Sequence, residues 1–178
     1  MIRGEKVRLR AVERDDLPRY VKWLNDPDVL KYFGIYRPWS LEDEEAWYSA
    51  QRTDQSVLNF AIETLEDGRH VGGCGFSHIN WRNRSAECGL FIGEKSLWGQ
   101  GLGTDALRAL IDYGFRQLNF HRIYLRVYAE HRRAIRLYEK AGFQIEGRWR
   151  DAEFRHGRYH DLIWMSILET EYRPRESV

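Results

Sequence analysis

The sequence predicts a mixed α/β domain of α+β character, in which a mainly antiparallel central sheet contains one parallel strand-helix-strand unit. Three observations lead there. Between Val57 and Ile92, three stretches of strand composition are separated only by turn-forming segments, which makes an antiparallel meander. From Gly103 the apolar period becomes that of a helix and a strand follows, so the chain crosses over to a parallel neighbour. After Gly142 two further strand stretches turn back on each other near His156-Gly157.

Taken in order, Val7, Leu9 and Ala11 alternate as in a strand, and Leu17, Tyr20, Val21 and Leu24 then share one helical face. Asn25-Asp26-Pro27 stops that helix. Ser40, followed by Asp43 and Glu44, is an N-cap with an acidic first turn and opens a helix through about Arg52; the run Glu42 to Glu45 reads as support for the helix dipole. The meander strands run from about Val57 to Glu63, His70 to Ile79 and Ser85 to Ile92, with Asp67-Gly68 and the polar stretch Asn80 to Arg84 between them. Ala106, Leu107, Leu110, Ile111, Gly114 and Phe115 mark a long amphipathic helix. A strand at about Arg122 to Tyr128 and a helix at about Arg132 to Ala141 complete this part, with Gly142 as its left-handed C-cap.

The 178 residues, without linker or repeat, read as a single domain spanning residues 1–178, large enough to bury a core unaided. Its 28 basic and 27 acidic residues give a formal charge of +1, which is not the footprint of a nucleic-acid binder. Charges at Arg3, Glu5, Lys6, Arg8 and Arg10 leave no apolar run near the N-terminus, so neither a signal peptide nor a membrane association is expected, and the expected location is cytoplasmic. Cys74 and Cys88 lie in apolar strands without a neighbouring cation to lower a thiol pKa, and are expected to be buried free thiols.

The chemistry concentrates where Leu90-Phe91-Ile92-Gly93 leads to Trp98-Gly99-Gln100-Gly101-Leu102-Gly103-Thr104 and straight into a helix. The first turn of a helix offers unpaired N–H groups and the positive end of the macrodipole, and glycines let an anion approach the backbone, so this turn suits a pyrophosphate. It is not a Walker A loop, because no Lys-Ser/Thr pair follows. Gly101, Gly103 and Ala106 match the dinucleotide fingerprint formally, yet the acidic residue that would hold a ribose some twenty positions on is missing.

Together with Ala134-Ile135-Arg136-Leu137-Tyr138-Glu139-Lys140-Ala141-Gly142-Phe143, this order closely resembles the GNAT superfamily of N-acetyltransferases. That family's acetyl-CoA motif is Gln/Arg-x-x-Gly-x-Gly/Ala, and its later helix reads Asn-x-x-Ala-x-x-x-Tyr-x-x-x-Gly-Phe. Val7 to Leu17 and the terminal Phe154 to Asp161 are similar to the branch of ribosomal-protein-alanine and spermidine acetyltransferases. Trp98 and His131 depart from the pattern, standing where the family usually has Gln or Arg and Asn.

The resemblance implies the GNAT fold and direct acetyl transfer from acetyl-CoA to a primary amine, without a metal. The acceptor would be a protein N-terminus, a polyamine or another small amine, and a homodimer is the oligomeric expectation. It further implies that the backbone of Phe91 and Ile92 pairs with the pantetheine arm, that N–H groups of Gln100, Gly101, Leu102, Gly103 and Thr104 take the phosphates, and that His131 adjoins the cofactor. Glu87 matches the general base, acting directly or through water, and reads equally as a strand-edge carboxylate in a salt bridge. Tyr138 matches the general acid that protonates the departing thiolate, and reads otherwise as a core tyrosine. A non-catalytic acyl-CoA-binding or regulatory domain of the same fold is the alternative.

Smaller signals complete the reading. Tyr32, Phe33, Tyr36, Trp39, Trp47 and Tyr48 are the expected acceptor wall or helix core. His156 and His160 have the spacing of a zinc pair, but Gly157 makes a turn there instead of a helix. His78 and His121 read as isolated structural residues, and no Gly-x-Ser-x-Gly elbow is present.

Overall fold

The computed structural model describes residues 2–174; residue 1 and residues 175–178, the two ends of the expected domain, lie outside the described residues. Strands β1 (Ile2–Arg3) and β2 (Val7–Ala11) precede helices α1 (Leu17–Trp23), α2 (Pro27–Leu30) and α3 (Leu41–Gln51). The meander is β3 (Leu58–Thr64), β4 (His70–Asn80) and β5 (Ser85–Ile92), followed by α4 (Leu102–Arg116), β6 (Arg122–Tyr128), α5 (Arg132–Lys140), β7 (Gln144–Arg155) and β8 (Arg158–Leu168). All eight strands form one sheet in the order β1-β2-β3-β4-β5-β6-β8-β7. Every neighbouring pair is antiparallel except β5 and β6, which α4 joins as a parallel crossover. The expected elements are present; the two-residue β1 and the single turn of α2 are additions too short for periodicity to reveal.

Alternation along the strands creates two cores. One face carries Ile62, Phe76, Ala86, Ile123, Leu125 and Met165 under the apolar side of α4. The other face receives Ala61, packed with Leu17, Tyr20, Trp23 and Tyr48 from α1 and α3. Trp23 lies so close to the end of β5 that a Cβ at Gly93 would stand 2.1 Å from its ring, so residue 93 must be glycine for α1 to seat there. Beneath α1, Asp16 and His70 are both buried, with His70 Nδ1 3.1 Å from Asp16 Oδ1, and Arg10 holds the same carboxylate. Burial pushes the His70 pKa down.

The acidic start of α3 divides its labour. Ser40 and Asp43 form the reciprocal capping box, whereas Glu44 is buried and accepts a 2.7 Å hydrogen bond from Trp39 Nε1. Glu44 is therefore a core anchor and not dipole support, and burial raises its pKa. Trp39, Trp47 and Tyr48 belong to the second core, which corrects their assignment to an acceptor wall. Tyr36 is fully in solvent.

The first turn of α4 is tied to the N-terminal strand. Asp105 is buried, and its carboxylate accepts from the backbone N–H groups of Glu5, Lys6 and Val7 at 3.1, 2.8 and 3.1 Å. Charge-assisted bonds of this kind are strong, and their loss strands buried donors. Asp105→Ala is expected to lower the unfolding free energy by about 3 kcal/mol, and Asp105→Asn by less because one acceptor oxygen remains, as urea denaturation followed by circular dichroism will measure.

Candidate active site

The two parallel strands part company soon after they meet. Ser85, Ala86 and Glu87 pair with Arg122, Ile123 and Tyr124, but beyond that point no pairing joins them, although β5 runs on to Ile92 and β6 to Tyr128. The other edge of β6 pairs with β8 along its whole length. The facing edges of residues 88–92 and 125–128 therefore lack a strand partner and open a cleft of about 1050 Å³. Unpaired backbone groups at such an edge call for an extended, amide-bearing ligand.

At one end the cleft meets the glycine-rich turn. Gly99 and Gly101 have φ of +86° and +84°, the left-handed region that costs other residues about 1–2 kcal/mol, and Gly101 is the N-cap of α4 with no side-chain cap on the N–H groups beyond it. Gly101, Leu102, Gly103 and Thr104 line the cleft, as do Phe91 and Ile92. Gln100 does not: its side chain donates to Ser96 O, and its own carbonyl accepts from Lys6 Nζ at 2.9 Å. Lys6 Nζ lies 3.5 Å from where a Cβ of residue 101 would be. Across the gap α5 presents Arg132, Arg133, Arg136 and Lys140 to the same cleft. Bare N–H groups, a helix N-terminus and these cations fit the diphosphate of a coenzyme A.

Trp98 makes a contact that its sequence position does not disclose. Its indole Nε1 donates a 2.7 Å hydrogen bond to Ile92 O, stapling the glycine turn to the end of β5. That carbonyl therefore already has one hydrogen-bond donor. His131 is the N-cap residue of α5 but makes no side-chain cap bond; its ring stacks on Tyr32 at 3.8 Å, and burial with nearby Arg133 and Lys31 lowers its pKa. Tyr32 and Phe33, alone among the six aromatics of the expected acceptor wall, line the cleft.

Both expected catalytic side chains reach the cleft. Glu87 lies beside the last rung shared by β5 and β6, where Arg126 grips it with Nε to Oε1 at 2.7 Å and Nη2 to Oε2 at 3.0 Å. A register shift between Ser77 and Asn80 turns His78 to 3.1 Å from Glu87 Oε2. His78 and His121 are thus not isolated, since His121 also meets a carboxylate, that of Glu169. Each Glu87 oxygen keeps lone-pair capacity for a water. Tyr138 packs edge-on against Phe143 at 5.8 Å, and its hydroxyl makes no hydrogen bond among the described residues. Burial raises its pKa, so the phenol is protonated and able to donate at neutral pH.

Further along β6 the walls become acidic: Tyr128 donates to Glu153 Oε2, and Glu130 meets the buried His160. The zinc-like spacing of His156 and His160 leads nowhere, because His156 sits in the β7–β8 turn with φ of +49° and His160 is engaged by Glu130 and Arg155 O. No group of three or more metal-ligand side chains occurs among the described residues, and Cys74 and Cys88 are buried and free, their thiol pKa values raised by burial. No helix there is long and apolar enough to cross a membrane.

Comparison with known proteins agrees with this geometry. Residues 6–144 match the Acetyltransferase (GNAT) domain family. The chain is 36% identical over 176 residues to the spermidine N(1)-acetyltransferase of Escherichia coli K12, covering 95% of this chain and 89% of that one. It is 33% identical over 180 residues to the putative ribosomal N-acetyltransferase YdaF of Bacillus subtilis, covering 95% and 94%. The spermidine N-acetyltransferase of Vibrio cholerae, solved in complex with CoA and spermine, superposes with a TM-score of 0.88 at 32% identity, covering 93% of this chain and 97% of that one.

A carboxylate introduced at residue 101 would stand beside Lys6 and oppose the phosphates with a like charge. Gly101→Asp is expected to weaken CoA binding at least about tenfold while the far-ultraviolet circular dichroism stays native, with titration calorimetry as the measure of affinity.

Proposed function

Because the chain belongs to the GNAT family, it is an acetyl-CoA-dependent N-acetyltransferase, and we propose that its acceptor is a small cationic amine of the polyamine type. The observation that carries the proposal is a single cleft lined both by cations, those of α5 beside the glycine turn, and by carboxylates, Glu87, Glu130 and Glu153. An anionic coenzyme suits the first and an ammonium-bearing acceptor the second.

Acetyl-CoA supplies an activated acetyl group as a thioester. The protein must then solve two proton problems. The acceptor arrives as an ammonium ion and must lose a proton before its nitrogen can attack the carbonyl carbon. Glu87, at the fork of β5 and β6, takes that proton through a water held on its remaining lone pairs, while Arg126 and His78 hold the carboxylate in place. As the new C–N bond forms the nitrogen sheds its second proton to water, and as the C–S bond breaks Tyr138 gives its phenolic proton to the departing sulfur and recovers one from solvent. The sum is ammonium plus thioester to amide, thiol and one proton. Phe91, Ile92 and the turn from Gly101 to Thr104, with His131 alongside, hold the coenzyme so that its thioester reaches the fork.

A protein N-terminal amine is the second reading, favoured by the likeness to YdaF. Following thiol release with spermidine, other polyamines and ribosomal-protein N-terminal peptides separates the two. Turnover with polyamines is the expected result; turnover with peptides alone overturns it.

Tyr138→Phe keeps the ring packing against Phe143, so it should remain folded and bind CoA as before. Its turnover with the preferred amine should fall at least about tenfold, and full turnover would make Tyr138 a packing residue. Glu87→Gln keeps the shape but cannot accept the proton; its rate against pH should lose the advantage of the wild type on the low-pH side, and coincident profiles would reject the role.

A further inference from the structure

The cleft contains one carboxylate that forms no ion pair among the described residues, although the Arg155 guanidinium neighbours the Tyr128 hydroxyl that holds it. Glu87 is paired with Arg126 and His78, Glu130 with His160 and Arg158, and Asp28 with Lys95. Glu153, half-buried in the cleft wall, has no cation within ion-pair distance among the described residues. Its hydrogen-bond partner is the neutral phenol of Tyr128, which donates to Oε2. Arg126 feels its field but is committed to Glu87.

The backbone delivers Glu153 to this position by an irregularity. Trp149 pairs with Leu162 and Glu153 with His160, so β7 spends two more residues than β8 over the same stretch. Asp151 sits in this bulge at φ of +50°, its N–H held at 2.8 Å by Asp161 Oδ1. An even number of extra residues preserves the alternation, and Glu153 returns to the sheet face that carries His160, Leu162 and Tyr128. Tyr124, Arg126 and Tyr128 follow one another on that face of β6, about 7 Å apart at each two-residue step. Glu87 sits at the Arg126 step and Glu153 at the Tyr128 step, so the two carboxylates occupy successive stations on the way out from the fork.

We propose that Glu153, oriented by Tyr128, is the specificity-determining residue that receives a second, non-reacting ammonium group of the acceptor while the amine to be acetylated lies at the Glu87 station. The inference rests on the polyamine-type acceptor reading and deepens it: the enzyme selects for a second positive charge a short alkyl spacer away. Tyr128 fits a positioning role. Burial and the bond to Glu153 raise its pKa to about 12, so it stays a hydrogen-bond donor that fixes the carboxylate without neutralising it.

The test uses the full chain at saturating acetyl-CoA, with 1,4-diaminobutane and the monoamine butylamine as probes. Wild type should prefer the diamine. Glu153→Gln should raise the KM for the diamine at least about tenfold, with kcat, the KM for acetyl-CoA and the butylamine kinetics unchanged. Tyr128→Phe should raise the diamine KM by a smaller factor in the same direction, with an unchanged melting temperature. If wild type prefers the diamine and Glu153→Gln leaves its KM within about twofold, this assignment fails and the acceptor reading stands. A wild-type enzyme indifferent to the second charge overturns the acceptor reading and the assignment together.

Discussion

The interaction on which the site depends is one that stops short. β5 and β6 share three rungs, Ser85 to Glu87 against Arg122 to Tyr124, and then they separate, while the other edge of β6 stays paired with β8 from end to end. Had the two strands stayed together, the sheet would be continuous and there would be no cleft. Because they separate, the cleft-facing backbone groups of residues 88–92, whose other edge is paired with β4, stand without a strand partner. The carboxylate proposed as base sits at the fork, the glycine turn lies at the far end of β5, and Tyr138 looks in from α5. Each is positioned by a rigid element rather than by a loop, which is what a reaction sensitive to placement requires.

Two tethers keep the far end of β5 in register with the helix that follows. Trp98 fastens the turn to Ile92 O, and Asp105 binds three N–H groups of the N-terminal segment, which carries Lys6 to the carbonyl of Gln100. The departure from the family pattern at residue 98 therefore substitutes an indole donor for whatever a Gln or Arg would contribute. The resulting cleft carries charges of both signs on its walls. This combination lets a nearly neutral chain bind an anion and a cation side by side.

Much of this was legible in the residues. Strand composition between turn-forming segments and the change of period at Gly103 located β4 to β6 and α4 almost to the residue, because each stretch has a turn or cap at its ends. The glycine turn announced itself because left-handed backbone at residues 99 and 101 demands that residue type. What stayed hidden was relational. Nothing local says that β6 diverges from β5 after three rungs, that Glu44 turns inward to Trp39, or that Lys6 reaches Gln100 across ninety-four positions. Glu153 was invisible for the same reason: a bulge in an exposed strand, set by Asp151 and Asp161, decides where it points. The aromatic run from Tyr32 to Tyr48 divides between cleft and core, a division that composition cannot make.

The central claim is that the bare edge of β5 is completed by the coenzyme. Amide hydrogen exchange, followed residue by residue with and without CoA, tests it directly. The account predicts new protection at the cleft-facing amides among residues 88–92 and in the turn from Gly99 to Thr104, with the amides bonded to β4 and residues 85–87 unchanged because a strand already covers them. Tight CoA binding that leaves residues 88–92 exchanging as in the free protein would contradict it.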